Sequence, residues 1–353
     1  MYRKHLISSM KLSLILFLLA AALSSPLRPT AAQDAPPLPG TVVLSDLVSP
    51  RGLAFADDGT LVVTDAGNGG DTEISVPSFE DPTVMMSIAA GLTGRILALS
   101  TAGEVLPVLS ALPSYATPQE TLGVYRAIPK GDSMWILYNW TGPGTYWGAS
   151  VVEMDMNTLE PKHVINLSAF EQANNPDGNL PESNPSDLAW GADGTLYITD
   201  ARANSLLSWT AEKGLAVVAA WADNSVPTAV EVAANGDLYV GFFGSGQAPG
   251  VAKIERWSGG KLAETFGGLD GVTDILLDGD TLYAVQLFTI GAEGPGAGNV
   301  VKVDATGATI VADGLPAPFA LAKSPDGAFY VTFGAIPLGP GIVGGVLKLD
   351  NMP

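Results

Sequence analysis

Apolar and polar residues alternate along this chain in short runs separated by reversals rich in Gly, Asp and Asn, the period-2 pattern of strands and not the longer period of helices. The runs recur. PRGLAFADDGTLVVTD starts at Pro50, PSDLAWGADGTLYITD at Pro185, PTAVEVAANGDLYVGF at Pro227 and PFALAKSPDGAFYVTF at Pro318. Two looser copies are YRAIPKGDSMWILY from Tyr125 and VTDILLDGDTLYAV from Val272. Each predicts a strand, a tight turn and a second strand rich in Tyr, Val and Ile. The Gly, Asp and Asn of the turns tolerate the positive φ that such a reversal demands. A second hairpin follows, as in GRILALSTAGEVLPVL from Gly94, SLLSWTAEKGLAVVAA from Ser205, VAKIERWSGGKLAETF from Val251 and NVVKVDATGATIVADGL from Asn299, with a looser SVVEMDMNTLEPKHVINL from Ser150. Four antiparallel strands per unit make one propeller blade.

The second strands begin at Leu61, Met134, Leu196, Leu238, Leu282 and Phe329, in steps of 73, 62, 42, 44 and 47 residues. The last three steps match the roughly 40–45 residues of a blade, and the two long ones are blades carrying insertions. The expected fold is all-β: a single six-bladed β-propeller over residues 41–353. The last copy ends GGVLKLD at Asp350, one strand short, while TVVLSDL from Thr41 matches the fourth strands VLPVLSAL and TIVADGL. That segment is expected to complete the last blade, which removes an exposed sheet edge.

The N-terminal residues break the pattern. Arg3, Lys4, His5 and Lys11 precede a twelve-residue apolar run, Leu12 to Leu23, shorter than the ~20 residues of a bilayer-spanning helix. Thr30-Ala31-Ala32 then offers a cleavage site before Gln33. Residues 1–32 read as a signal peptide and 33–40 as a Pro-rich lead, so the mature chain is expected in the periplasm or outside the cell, with no membrane insertion after cleavage. Loss of Arg3, Lys4, Lys11 and Arg28 leaves 13 basic against 36 acidic residues, a formal charge of −23. Such a surface repels phosphate backbones and anionic lipid, which excludes nucleic acid as a partner. The chain has no Cys, so thiol nucleophiles, thiolate metal sites and a Cys-linked lipid anchor are all excluded. Its length allows a core that needs no disulfides, and a monomer is expected.

The blade segments DGTLVVTDAGNGG and DGTLYITDARANSLL resemble NHL-type propeller repeats. The chain more specifically resembles the ScyD/ScyE family of exported propellers. The stretches that carry this likeness are Pro50 to Asp71, Phe170 to Asn204, Val226 to Phe243, and the tail PFALAKSPDGAFYVTF followed by GGVLKLD. Two departures stand out: Thr72-Glu73-Ile74 follows GNGGD where the family often has a Gly-Pro-Cys type segment, and Pro185-Ser186-Asp187 stands where it often has Pro-Tyr-Gly. The resemblance implies a fold and a compartment but no reaction.

Candidate chemistry is sparse. With His5 in the leader, His163 is the mature chain's one histidine, which rules out a His-ligated zinc site and leaves a Ser-His-Asp arrangement dependent on that residue alone. Its place in an outer hairpin reads as a partly exposed strand histidine. Carboxylates remain. The first strand of each blade lines the channel, and aligning the copies puts Gly52, Arg126, Asp187, Ala229, Asp274 and Ala320 at one level. Arg51, Tyr125, Ser186, Thr228, Thr273 and Phe319 stand at the next. The candidate ligand-binding residues at the channel mouth are therefore Arg51, Tyr125, Arg126, Asp187 and Asp274. Asp187 and Asp274 are candidate ligands for a Ca²⁺-type hard cation; the competing reading has Arg126 merely balancing the two acids. Gluconolactonase-like propellers hold a metal at this place with Glu, Asn and Asp, a set this ring does not complete, and the analogy is one of fold.

Asp65 and Asp200, with Asn68 and Asn204 behind them, read as turn-fixing corners. Two insertions, Gly67 to Thr93 with Asp71, Glu73, Glu80 and Asp81, and NNPDGNLPESN over 174–184, carry acids and are where a rigid propeller usually binds. NWTGPGTYWG, with Trp140, Tyr146 and Trp147, reads as an aromatic loop able to stack on a ligand or to pack over a blade edge. Two functions stay open: a binding scaffold for a small molecule or protein, without a reaction of its own, and a metal-dependent hydrolase or lactonase acting at the channel mouth.

Overall fold

A computed structural model describes residues 37–78, 83–118, 120–140, 148–245, 248–336 and 343–353. The signal-peptide reading, Glu80, Asp81, Tyr146 and Trp147 lie outside them. The chain is an all-β propeller, and its one described helix is short, Leu167–Asn174. Three four-stranded sheets follow one another in simple up-and-down order: Pro185 to Ala220, Pro227 to Leu269, and Val272 to Leu315. A fourth joins Leu321–Lys323, Phe329–Phe333 and Gly344–Leu349 to Gly40–Leu47, the first described strand, which pairs antiparallel with Gly344–Leu349. The strands between Pro50 and Asn166 form one nine-stranded sheet. Its two halves are bridged by Val105–Ala116 and Thr121–Lys130, which pair over three residues only, Ser114 to Ala116 against Thr121 to Gly123.

The turns carry out what their sequences require. Gly59, Gly194, Gly236 and Gly327, at one position of the four clearest copies, all take φ between 82° and 91°, a region closed to most side chains. Each turn is shut by a backbone bond between its flanks, such as Ala56 N–H to Thr60 O and Gly191 N–H to Thr195 O, both within 2.9 Å.

Alternation buries both faces of the inner strands. Leu137, Val151 and Leu188 share one cluster with Ile198, and Ile254, Ile275 and Val301 share another, so apolar packing runs from sheet to sheet. Each such side chain contributes roughly 1.5–3 kcal/mol when fully buried. The innermost strands meet around an axis. Pro50–Phe55 packs on Thr121–Lys130, which packs on Pro185–Trp190; next come Pro227–Val232, Val272–Asp278 and Leu321–Lys323, and the last of these contacts the first.

Candidate functional site: a charged cluster on the propeller axis

The level that the alignment picks out is built by bulges. Pairing of the inner strands with their neighbours slips at Val124/Arg126, Pro185/Asp187, Pro227/Ala229 and Val272/Asp274, always beside the aligned position. A bulge bends its strand and re-aims the side chain next to it. Arg126, Asp187 and Asp274 are brought together by this. Arg126 Nε lies 3.2 Å from Asp187 Oδ1, and its Nη1 lies 3.3 Å from Asp274 Oδ2. Asp187 and Asp274 come from strands that are not neighbours, so Arg126 reaches across the axis.

Each acid also fastens the next inner strand. Asp187 Oδ2 accepts the Val230 N–H at 2.9 Å, and Asp274 Oδ2 accepts the Leu321 N–H at 2.9 Å. Asp274 Oδ1 takes the N–H of Ile275 at 3.0 Å. Arg126 Nε and Asp187 Oδ1 are an ion pair outside hydrogen-bond geometry, so both are buried without a hydrogen-bond partner among the described residues.

A fourth member, Glu231, stands outside the sequence's candidates. It is half-buried, and burial together with Asp187 and Asp274 pushes its carboxyl up to about 8 despite Arg126. The signal is present in the sequence: two residues beyond the aligned level the copies read Ala54, Ile128, Ala189, Glu231, Leu276 and Ala322, one charge among apolar side chains. Burial raises Asp187 as well, with Asp274 adding and Arg126 opposing; Asp274 is raised by burial against Arg126 and two backbone donors. Burial works against the Arg126 charge, but Asp187, Asp274 and Glu231 outweigh it and hold the guanidinium protonated.

Arg51 and Tyr125 form a separate cluster. The Arg51 guanidinium sits between the rings of Tyr125 and Phe319, 4.8 and 4.7 Å from their centroids, with 1% of the residue exposed. Its Nη2 donates to Thr121 O at 3.1 Å. Burial raises Glu120, and Arg51 opposes that shift; Tyr125 Oη stands 3.5 Å from its carboxylate. At the same level Thr228 and Thr273 donate to Val272 O and Phe319 O at 2.7 and 2.8 Å, joining adjacent inner strands.

The remaining candidates are structural in their contacts. Asp65 accepts from Ser49 N–H at 2.8 Å and Gly67 N–H at 3.2 Å and pairs with Arg95 at 3.0 Å. Asp200 takes Asn184 N–H at 2.8 Å and Ala203 N–H at 3.1 Å. His163 is exposed and lies 2.6 Å from Glu153. Trp140 stacks edge-on against Tyr115, centroids 4.6 Å apart. The Gly67–Thr93 insertion folds Thr72–Pro77 onto Met85–Leu99 as an added strand. Among the described residues no three acidic or histidine side chains stand where they could hold a metal ion, and no helix is long and apolar enough to cross a membrane.

No protein-family model matches this chain, and no curated protein matches it. Solved structures do. A gluconolactonase from Xanthomonas campestris is similar over 92% of this chain and 99% of its own, at 14% identity and a TM-score of 0.53. A proposed oxidoreductase (glucose dehydrogenase) from Thermus thermophilus covers 89% of this chain and 100% of its own, at 14% identity and 0.56. A further glucose dehydrogenase covers 88% and 99%, at 13% and 0.54. At such identities the likeness is one of fold.

Proposed function

We propose that this chain is an exported, six-bladed propeller of the ScyD/ScyE type that serves as a binding scaffold for a small molecule or a protein and catalyses no reaction at its axis. The six-blade reading takes the nine-stranded sheet as two blades joined edge to edge. It is supported by six apolar clusters among the described residues, each mixing residues of one four-strand unit with those of the next. The pairing of Gly40–Leu47 with Gly344–Leu349 supports closure by the N-terminal strand.

One observation carries the functional reading: the axial acids are already committed. A hard cation needs several free oxygens around one point. Both Asp274 oxygens accept backbone N–H groups, as does Asp187 Oδ2, and Arg126 stands between the two acids in the place a cation would take. The donor set does not fit a Ca²⁺-type ion unless Arg126 is expelled. Ligands then meet the scaffold at its insertions, 67–93 and 174–184.

The test is metal content by elemental mass spectrometry on mature protein purified without chelators, paired with hydrolysis of aryl esters and aldonolactones by wild type, Asp187→Asn and Asp274→Asn. The expected result is no stoichiometric metal and no turnover that either substitution changes. Roughly one divalent ion per chain, or turnover lost in both variants, would overturn it in favour of a metal-dependent hydrolase or lactonase.

A further inference from the structure

Around the acidic insertion NNPDGNLPESN three carboxyl groups, Glu171, Asp177 and Asp200, stand in unequal circumstances. The helix Leu167–Asn174 ends on Asn175, left-handed at φ 40°, whose N–H bonds the Glu171 carbonyl at 2.8 Å. Asp177 accepts from Asn179 N–H at 2.9 Å, Asn179 Nδ2 at 2.7 Å and Asn204 Nδ2 at 3.0 Å. Asp200 accepts from two backbone N–H groups and the Ser183 hydroxyl. Glu171 is 2% exposed, yet its Oε1 has no hydrogen-bond partner among the described residues. Asn175 Oδ1, four residues on, is likewise buried without a donor.

The surroundings of Glu171 all oppose a negative charge. It is withdrawn from water, Asp200 and Asp177 reach it with like charge, and it stands in the last turn of a helix, where the dipole is negative. No described cation answers it. Arg202 is held by Glu182 at 2.7 Å, and the strand packed on the helix, Ser150–Asp155, directs Glu153 and Asp155 to His163 and Lys162. No metal-holding group of acids exists among the described residues. Two buried acceptors at this helix end, Glu171 Oε1 and Asn175 Oδ1, lack a donor among the described residues, and a neutral carboxyl is one.

We propose that Glu171 is protonated and works as a pH-operated latch on the Asn175–Asn184 segment. With its proton it supplies the missing donor and holds the helix end and the loop together. Once ionised it is driven toward water and the loop loosens. The segment leads directly into the Pro185–Trp190 inner strand, so the latch acts on the chain just ahead of Asp187. Burial, Asp200 and Asp177 push the carboxyl up to about 7. The sign follows: a folded-state value above the ordinary one means that the latch is complete at acid pH and is lost as pH rises through about 7.

Hydrogen exchange of the full mature chain, corrected for intrinsic rates, tests this at pH of about 5.5 and 8.5. Protection of residues 175–184 in wild type is expected to fall by about tenfold or more at the higher pH. Glu171→Gln, neutral throughout, should be protected equally at both. Equal protection of wild type at both pH values overturns the proposal, and so does the same fall in Glu171→Gln. Restoration of wild-type protection by millimolar Ca²⁺ at the higher pH also overturns it, since the acceptors then serve a cation. Should Glu171→Gln not fold, carboxyl NMR of wild type decides: titration of Glu171 in the ordinary glutamate range, about 4.3, refutes the latch.

Discussion

Removing the guanidinium of Arg126 puts the axial cluster under direct strain. Arg126→Met keeps much of the stem but leaves Asp187 and Asp274, whose side chains are 4% and 3% exposed, facing each other and Glu231 with no positive charge. Deleting one partner of a buried pair typically costs ~3–5 kcal/mol. Here one deletion strips two acids, while their bonds to the Val230, Ile275 and Leu321 amides persist, so the loss should be about 4 kcal/mol. With an unfolding entropy of roughly 2 cal/mol/K per residue over some 300 residues, Tm should fall by about 6 °C. The deficit depends on pH. Acids whose folded-state pKa is raised are destabilising when ionised, so the loss is full above that value and shrinks as the pH falls and they protonate in place. Melts at pH of about 8 and 5 should therefore converge at the acid end, and adding Asp187→Asn with Asp274→Asn should recover most of the loss at the alkaline end. A variant that melts with wild type at alkaline pH, or one with the same deficit at both, refutes the reasoning.

Glu231→Gln should match wild type below the ordinary glutamate range, about 4.3, gain on it steadily as the pH rises from there, and hold its full advantage above about 8, because across that span the unfolded chain ionises while the folded carboxyl keeps its proton; paired denaturant titrations read this directly. Thr64 and Thr199 stand at one repeat position, both 0% exposed, but Thr64 Oγ1 accepts from Gly52 N–H at 2.7 Å and donates to Tyr125 O at 2.8 Å, whereas Thr199 Oγ1 has no hydrogen-bond partner among the described residues. Thr64→Val should cost roughly 1–3 kcal/mol and Thr199→Val nothing or less than nothing, which chemical melts can separate. Deleting residues through Leu47 uncovers the edge of Gly344–Leu349 and removes Leu44 and Leu47, both buried; light scattering should show a larger mean mass for that variant than for wild type at equal concentration.

How much of this is legible in the sequence divides along a physical line. Repetition reveals the hairpins because each copy carries its own local instructions: Gly59, Gly194, Gly236 and Gly327 sit where φ must be positive, and Asp65 and Asp200 gather the backbone donors of their corners. Alignment by repeat also puts Arg126, Asp187 and Asp274 on one level, since the bulge beside each is part of the repeated unit. It cannot tell whether the three meet, because that depends on how far across the axis Arg126 reaches. Arg51 shows the converse. Its neighbours in the chain group it with the mouth residues, yet its contacts are the two rings of Tyr125 and Phe319. Glu231 and Glu171 escape for a common reason: a carboxylate draws notice beside metal-like partners, whereas these two are defined by what is missing around them. A lone acid in an otherwise apolar repeat column is readable at Glu231. At Glu171 nothing in the helix sequence says that its oxygen is buried; only its burial beside Asp177 and Asp200 does so. Tertiary burial, and not residue type, therefore decides which of the 36 acidic residues carry the chemistry of this fold.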